Sequence, residues 1–172
     1  MMKISKEAVL KYAKKYDRDY KKEGWLVEKE MKVLLKKQGY LTCEDFIKIG
    51  RWKSKRPNRY YEDAENDDST VREITRFSFS TRSEKVQIKS LLILKGVSWP
   101  VASAILHFAS PDRYPIMDFR VIWSLGWEQP STYNFNFWRE YCEKIRRISA
   151  RHNLPIRTVE KALWKYSKEH QR

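Results

Sequence analysis

Asp118 stands in the stretch PIMDFRVIW, Pro115 to Trp123, as the one carboxylate among six apolar residues. Burying it is costly unless its oxygens accept hydrogen bonds or its charge is put to use. Two roles fit the position. It is either the N-cap of a following helix, whose first N–H groups lack partners, or a carboxylate that stabilises developing positive charge and handles a proton. The roles are compatible, because a cap would hold the charge in place. Just upstream, LLILKGVSWPVASAIL, Leu91 to Leu106, reads as a helix, a very short turn on Gly96, Val97 and Ser98, and a second helix with the small residues Ala102 and Ser103 in its first turns. A tight turn leading into a helix N-terminus presents successive backbone N–H groups, which is a seat for a phosphate. Lys95, Gly96, Val97, Ser98 and Trp99 are therefore candidate contacts to a nucleic-acid backbone. Taken alone, a glycine-containing turn between two helices is more often structural than ligand-binding.

Further side chains join these by type. Tyr114 and Arg120 flank the aspartate and are candidates to line a pocket. Arg51, Trp52 and Lys53, in the run RWKSKR, mix an aromatic with basic groups in the manner of a backbone-contacting surface; a solvated helix end is the competing reading. Trp99 would pack on a sugar or wedge a base, or else belong to the core. His107 falls on an apolar helix and reads as a core or boundary histidine, while His152 and His170 lie near helix ends. Cys43 and Cys142 have no CxxC partner and no neighbouring histidine, so neither zinc nor a cysteine-bound iron–sulfur cluster is supported, and buried thiols are expected.

The elements that must position these groups read as helices. Five glycines in 172 residues, few β-branched alternations and a recurring 3.6-residue apolar spacing predict an all-α protein, a single compact domain over 1–172. Ser5 is a predicted cap for a helix carrying Val9, Leu10, Tyr12, Ala13 and Tyr16. A second helix spans about Trp25 to Leu35 and stops at Gly39. Thr42 with Asp45 opens a third. Residues 53 to 68 are irregular. Thr70 with Glu73 and Thr81 with Glu84 fit the capping-box spacing and predict helix starts near Val71 and Arg82. The latter helix runs to Gly96, and Pro100 suits the first turn of the next. Two helices joined by a short turn are thus expected at about 83–109, and a loop carrying Asp118 with a short helix ending at Gly126 at about 111–126. Two amphipathic helices, about 135–151 and 155–169, finish the chain.

Charge narrows the partner. The formal net charge is +14, and it is uneven. Residues 1–60 carry 18 Lys/Arg against 8 Asp/Glu, residues 61–134 carry 8 against 10, and residues 135–172 carry 10 against 4. Basic ends around a near-neutral centre favour a polyanion over an acidic metabolite. The longest aliphatic run, Leu91 to Leu94, is too short to span a bilayer, and no signal-peptide pattern follows the first charges. An intracellular, cytoplasmic or nucleoid-associated protein with no membrane partner is expected.

Taken together, LKGVSWPVA and YPIMDFRV resemble the helix-hairpin-helix and aspartate signature of the endonuclease III and adenine glycosylase superfamily over about Leu91 to Leu125. Asp118 lies eighteen residues beyond Pro100, the family's spacing. The resemblance implies an abbreviated two-lobed helical fold with a base-accepting cleft between the lobes. It also implies double-stranded DNA as partner, and Asp118 as the group that assists cleavage of an N-glycosidic bond. Pro100 stands where bifunctional relatives carry a nucleophilic lysine, so the implied enzyme is monofunctional. Ser98 replaces the second hairpin glycine, Trp123 replaces an arginine of the commoner members, and the four-cysteine cluster motif is missing. No cofactor is expected beyond a structural monovalent cation of the kind relatives hold at the hairpin carbonyls. A non-catalytic helix-hairpin-helix DNA-binding protein is the alternative, and a helical module binding RNA or ribosomes through its basic ends is a third reading.

Overall fold

Capping chemistry and apolar spacing generate a chain of helices, described over residues 2–171 in a computed structural model. In chain order the α-helices are α1 (Lys6–Asp19), α2 (Lys22–Gln38), α3 (Cys43–Lys53), α4 (Asn58–Tyr61), α5 (Asp68–Ser80), α6 (Glu84–Leu91), α7 (Trp99–Ala109), α8 (Phe119–Ser124), α9 (Phe135–His152) and α10 (Ile156–His170). A 3-10 turn, Ala64–Asn66, precedes α5. No strand occurs among the described residues, so the all-α expectation stands. The chain divides into two compact units, one of Met1–Tyr20 with Pro111–Arg172 and one of Lys21–Ser110.

The 21–110 unit is built around α7. Every side chain from Val101 to Phe108 is buried, because the segment VASAILHF is apolar on nearly all faces and α2, α3 and α6 each cover one of them. Fully burying Val101, Ile105 or Leu106 contributes on the order of 1.5–3 kcal/mol each. Trp52 of α3 meets Phe108 edge to face at 5.0 Å between ring centroids. Tyr61 lies over Gly50, where an added Cβ would come within 2.9 Å of the phenol ring. Phe46 packs edge-on against the same ring, and burial pushes the Tyr61 hydroxyl up to about 12. His107 is buried, as a core position requires.

The second unit combines α1, α8, α9 and α10. Helix α10 packs against each of the other three. Its Leu163 carbonyl accepts from Ser124 Oγ at 2.6 Å, and the Ser124 carbonyl in turn accepts from the Met2 N–H at 2.8 Å. The α1 and α10 faces are also joined by Lys15–Glu169, Lys161–Asp17 and Lys165–Asp19 ion pairs at 2.6–2.8 Å.

Several termini form as the sequence dictates. Ser5 caps α1, Thr42 and Asp45 make a reciprocal capping box, and Gly39 ends α2 at φ +69°. Two expected starts are displaced. Asp67, three residues ahead of Thr70, takes the Thr70 N–H and starts α5 at Asp68; Ser83 takes the Val86 N–H and starts α6 at Glu84. Thr81 instead closes α5. A side-chain acceptor nearer the turn outcompeted the threonine each time. Helix α6 also stops at Leu91 rather than running to Gly96, because Leu92, Ile93 and Leu94 donate to carbonyls three residues back and tighten the chain into turns. Leu91 and Leu94 are buried by that geometry while Ile93 is left exposed.

Candidate functional site

The hairpin forms between α6 and α7, and its connection, residues 92–98, is fixed from below. Asn66, 1% exposed, donates through Nδ2 to the carbonyls of Tyr60, Tyr61 and Lys95 at 2.9, 3.2 and 3.1 Å. Its Oδ1 accepts the Lys95 N–H at 2.9 Å. The Val97 N–H closes a turn onto the Leu94 carbonyl at 3.1 Å. Gly96 adopts φ +80°, and an added Cβ there would lie 3.0 Å from the Tyr61 ring and 3.1 Å from Tyr60 Cβ. Glycine is thus required twice over, for its left-handed backbone and for its missing side chain.

The consequence for anion binding is specific. The N–H groups of Lys95 and Val97 are used inside the turn, so neither faces an external phosphate. Those of Ser98 and Trp99 sit at the start of α7, where helix geometry supplies no intrahelical acceptor. Ser98 is the N-cap but makes no side-chain capping bond, and Pro100 occupies the first turn without needing a donor. The Lys95 ammonium is paired with Glu65 at 2.9 Å, which holds it in its charged form. Arg51 is similarly engaged, with Asn58 and Glu62 each at 2.6 Å. Trp52 and Lys53 lie at the end of α3, both half-buried, with Trp52 turned onto Phe108. Part of the expected basic surface is therefore neutralised by acids of the 58–68 segment.

Asp118 belongs to the other unit and is the N-cap of α8. Its backbone is extended, φ −149° and ψ 138°, and Oδ1 accepts the Arg120 N–H at 3.0 Å. The side chain is half-buried. The two residues just before it are buried, and Ile116 is held on both sides of its peptide. The Ile116 carbonyl accepts from the Tyr141 hydroxyl of α9 at 2.7 Å, and the Ile116 N–H donates to Glu160 Oε1 of α10. Glu160 is itself 1% exposed, with the Arg157 guanidinium 3.9 Å from its other oxygen. The Asp118 charge is felt by two phenols. Tyr141 is pushed well up by burial and then by Glu160 and Asp118, and the half-buried Tyr133 is raised by burial and then by Asp118.

Of the flanking candidates, Tyr114 is buried, stacked on Trp138 at 5.7 Å with the Arg113 and Arg146 guanidinium groups over its ring at 5.0 and 5.4 Å. That position serves the core of its unit. Arg120 is half-buried and lies over Phe119 and Trp164 at 5.0 and 5.6 Å. The structure thus gathers Asp118, Tyr114 and Arg120 in one unit, and the hairpin with Arg51, Trp52 and Lys53 in the other.

Three polar residues that matter here escape sequence reasoning: Asn66, Tyr141 and Glu160. Each acts on a backbone segment 25 or more residues away, or on one reached through an irregular loop. A buried Glu on an apolar helix face was the available signal for Glu160. Both cysteines are free thiols, Cys142 buried as expected and Cys43 only half-buried, its thiol pushed up chiefly by burial. Among the described residues no group of three or more His, Cys, Asp or Glu side chains could hold a metal ion, and no helix is long and apolar enough to cross a membrane. Comparison with protein-family models, curated proteins and solved structures finds no match to this chain.

Proposed function

We propose that the protein is a monofunctional DNA N-glycosylase, removing a damaged or mispaired base by hydrolysis. The observation that carries the reading is the setting of Asp118: a half-exposed carboxylate capping α8, on a loop in which buried Ile116, two residues upstream, is bonded at its carbonyl by Tyr141 and at its N–H by Glu160. A carboxylate fixed before substrate arrives is what electrostatic catalysis needs, since it costs no reorganisation as charge develops.

The chemistry follows from the substrate. A base stacked in a duplex is out of reach, so it is extruded at a cost of a few kcal/mol. The bond from the sugar C1′ to the base nitrogen breaks with its electron pair leaving on the base, and positive charge grows on the sugar. Asp118 stabilises that charge, then takes a proton from the water whose oxygen bonds to C1′, and the departing base takes up a proton from solvent. Ser98 and Trp99 at the α7 start supply N–H groups for a strand phosphate. Pro100 offers no amine, so no Schiff base forms and the strand is not cut.

The alternative, a hairpin DNA-binding protein without base excision, is favoured by one observation: Asp118 already has a structural task as a helix cap. A single experiment separates the two. Duplexes bearing uracil, alkylated purines, oxidised bases or mismatches are incubated with wild type, Asp118→Asn and Asp118→Ala. Asparagine caps as well as aspartate, whereas alanine costs about 1 kcal/mol of stability. The expected result is base release by wild type, a fall of about 10²–10³ in kcat for Asp118→Asn at unchanged stability and DNA affinity, and no borohydride-trapped adduct. Base release by Asp118→Asn at the wild-type rate would overturn the catalytic assignment, and duplex binding without release from any substrate would favour the alternative.

A further inference from the structure

One face of α9 carries cations that no acid among the described residues pairs with. Elsewhere in the same unit some basic side chains are paired: Lys15 with Glu169, Lys161 with Asp17, Lys165 with Asp19 and Glu169. Lys144, Arg147 and Arg151 make no ion pair among the described residues. Their spacing of three and four residues puts them in one row along the helix. With Ile4, Ile148 and His152 they line a pocket of about 330 Å³ that is open to solvent.

The shape of the surface makes this more than a solvated face. The pocket is concave and has apolar walls in Ile4 and Ile148, so the field of three like charges is focused there rather than spread into water. His152, half-buried at the C-terminal end of the row, completes the lining. The acid whose charge reaches His152, Glu7, is not in the lining and is held by its own backbone N–H and by Ser5. Helix electrostatics explains only part of the row. Arg151 and His152 stand in the last turn of α9, where cations offset the helix dipole, but Lys144 and Arg147 lie further in, where that effect has faded.

We propose that this pocket seats a phosphate of a nucleic-acid strand, giving the protein a phosphate anchor on α9 in addition to the hairpin. The inference rests on nucleic acid being the partner. A phosphodiester matches the row: it brings one negative charge and two unesterified oxygens, and continues along the helix to neighbouring phosphates. Free phosphate has the same chemistry, and the test separates the two sources.

Duplex DNA affinity is measured against salt for wild type, for K144Q/R147Q/R151Q, and for K32Q/K36Q/K37Q, which removes the same charge from exposed lysines of α2. Inorganic phosphate is titrated in parallel while the Ile4 and Ile148 methyl and His152 ring resonances are followed. For the pocket variant, the expected log–log salt slope is shallower by about 0.9 for each phosphate lost, with affinity down roughly tenfold. The α2 variant should lose less than half of that, K144R/R147K/R151K should keep the wild-type slope, and phosphate should shift the pocket resonances. Equal losses in the two glutamine variants would overturn the pocket as a site. Phosphate shifts with wild-type DNA binding by the pocket variant would overturn the strand assignment in favour of a free ligand. Wild type that binds no nucleic acid would sink the glycosylase reading and the strand assignment together, whereas DNA binding untouched by the pocket substitutions sinks this inference alone.

Discussion

Asn66 and Lys95 hold each other through a complementary pair of hydrogen bonds, the Lys95 N–H to Asn66 Oδ1 at 2.9 Å and Asn66 Nδ2 to the Lys95 carbonyl at 3.1 Å. The side-chain amide thus behaves like one more peptide paired with the hairpin. Because Nδ2 also serves Tyr60 and Tyr61, one buried residue ties the 58–66 segment to the turn ahead of α7.

Replacing Asn66 should therefore cost more than its size suggests. Asn66→Ala strips partners from one N–H and three carbonyls, and a loss of about 2–4 kcal/mol is expected, read as a lower urea midpoint at unchanged slope. Asn66→Asp keeps the acceptor for Lys95 but sets negative charge against three carbonyl oxygens, so its midpoint should fall at least as far. An Asn66→Ala midpoint within error of wild type would mean the turn holds itself.

Gly96 and Gly39 allow backbone strain to be separated from packing. Both have positive φ, +80° and +69°, yet an added Cβ at Gly39 meets nothing within 4 Å while one at Gly96 meets Tyr61 and Tyr60 at 3.0 and 3.1 Å. Gly39→Ala should lose about 1–2 kcal/mol, the cost of a left-handed alanine. Gly96→Ala should lose that and more, and it should also weaken DNA binding by shifting the turn. Equal thermal shifts in the two variants would show that the tyrosines yield without cost.

Why some of this was legible and some not follows from the range of each interaction. Ser5, Thr42 with Asp45, and Gly39 act within four residues, so their types and spacing suffice. The starts of α5 and α6 lie three and two residues from those the spacing predicts because two acceptors compete at each, and spacing alone does not rank Asp67 against Thr70 or Ser83 against Thr81. Asp118 was readable as a cap for the same local reason. Its support was not: Glu160 reaches Ile116 across 44 residues and Tyr141 across 25, and no periodicity encodes such a meeting. Composition gave the excess of positive charge. It did not tell that Arg51 and Lys95 would be answered by Glu62 and Glu65, or that the α9 row would not.

Asp19 makes part of the stability pH-dependent. Its carboxyl is drawn down to about 2, first by the hydrogen bond from the Lys165 ammonium 2.6 Å away and then by Arg18. A carboxyl depressed on folding contributes stability above its unfolded value, near 3.8, and loses it as pH falls through the folded one. Lys165→Met should therefore melt below wild type at pH 5, and the gap should close between about pH 4 and pH 2. Because Asp19 is exposed, 1 M salt should narrow the gap at pH 5 as well. A gap that persists unchanged at pH 2 would assign the effect of Lys165 to packing of its stem rather than to its charge.

The Tyr141 hydroxyl offers the sharpest test of whether Asp118 is positioned for chemistry or merely caps a helix. Tyr141→Phe keeps the buried ring and removes only the donor to the Ile116 carbonyl, leaving that oxygen unsatisfied at a cost of about 1–3 kcal/mol. Stability alone cannot distinguish the roles, since both predict that loss. Kinetics can. If the loop fixes the carboxylate for the transition state, loosening it two residues upstream should lower kcat roughly tenfold and leave KM nearly unchanged. The same substitution placed in an Asp118→Asn background should lower kcat no further, because the group it positions is gone, and the double variant should show strong non-additivity. Equal proportional losses in both backgrounds would make Tyr141 a structural residue whose effect on rate runs through folding, and would leave Asp118 without the preorganisation on which its catalytic role depends.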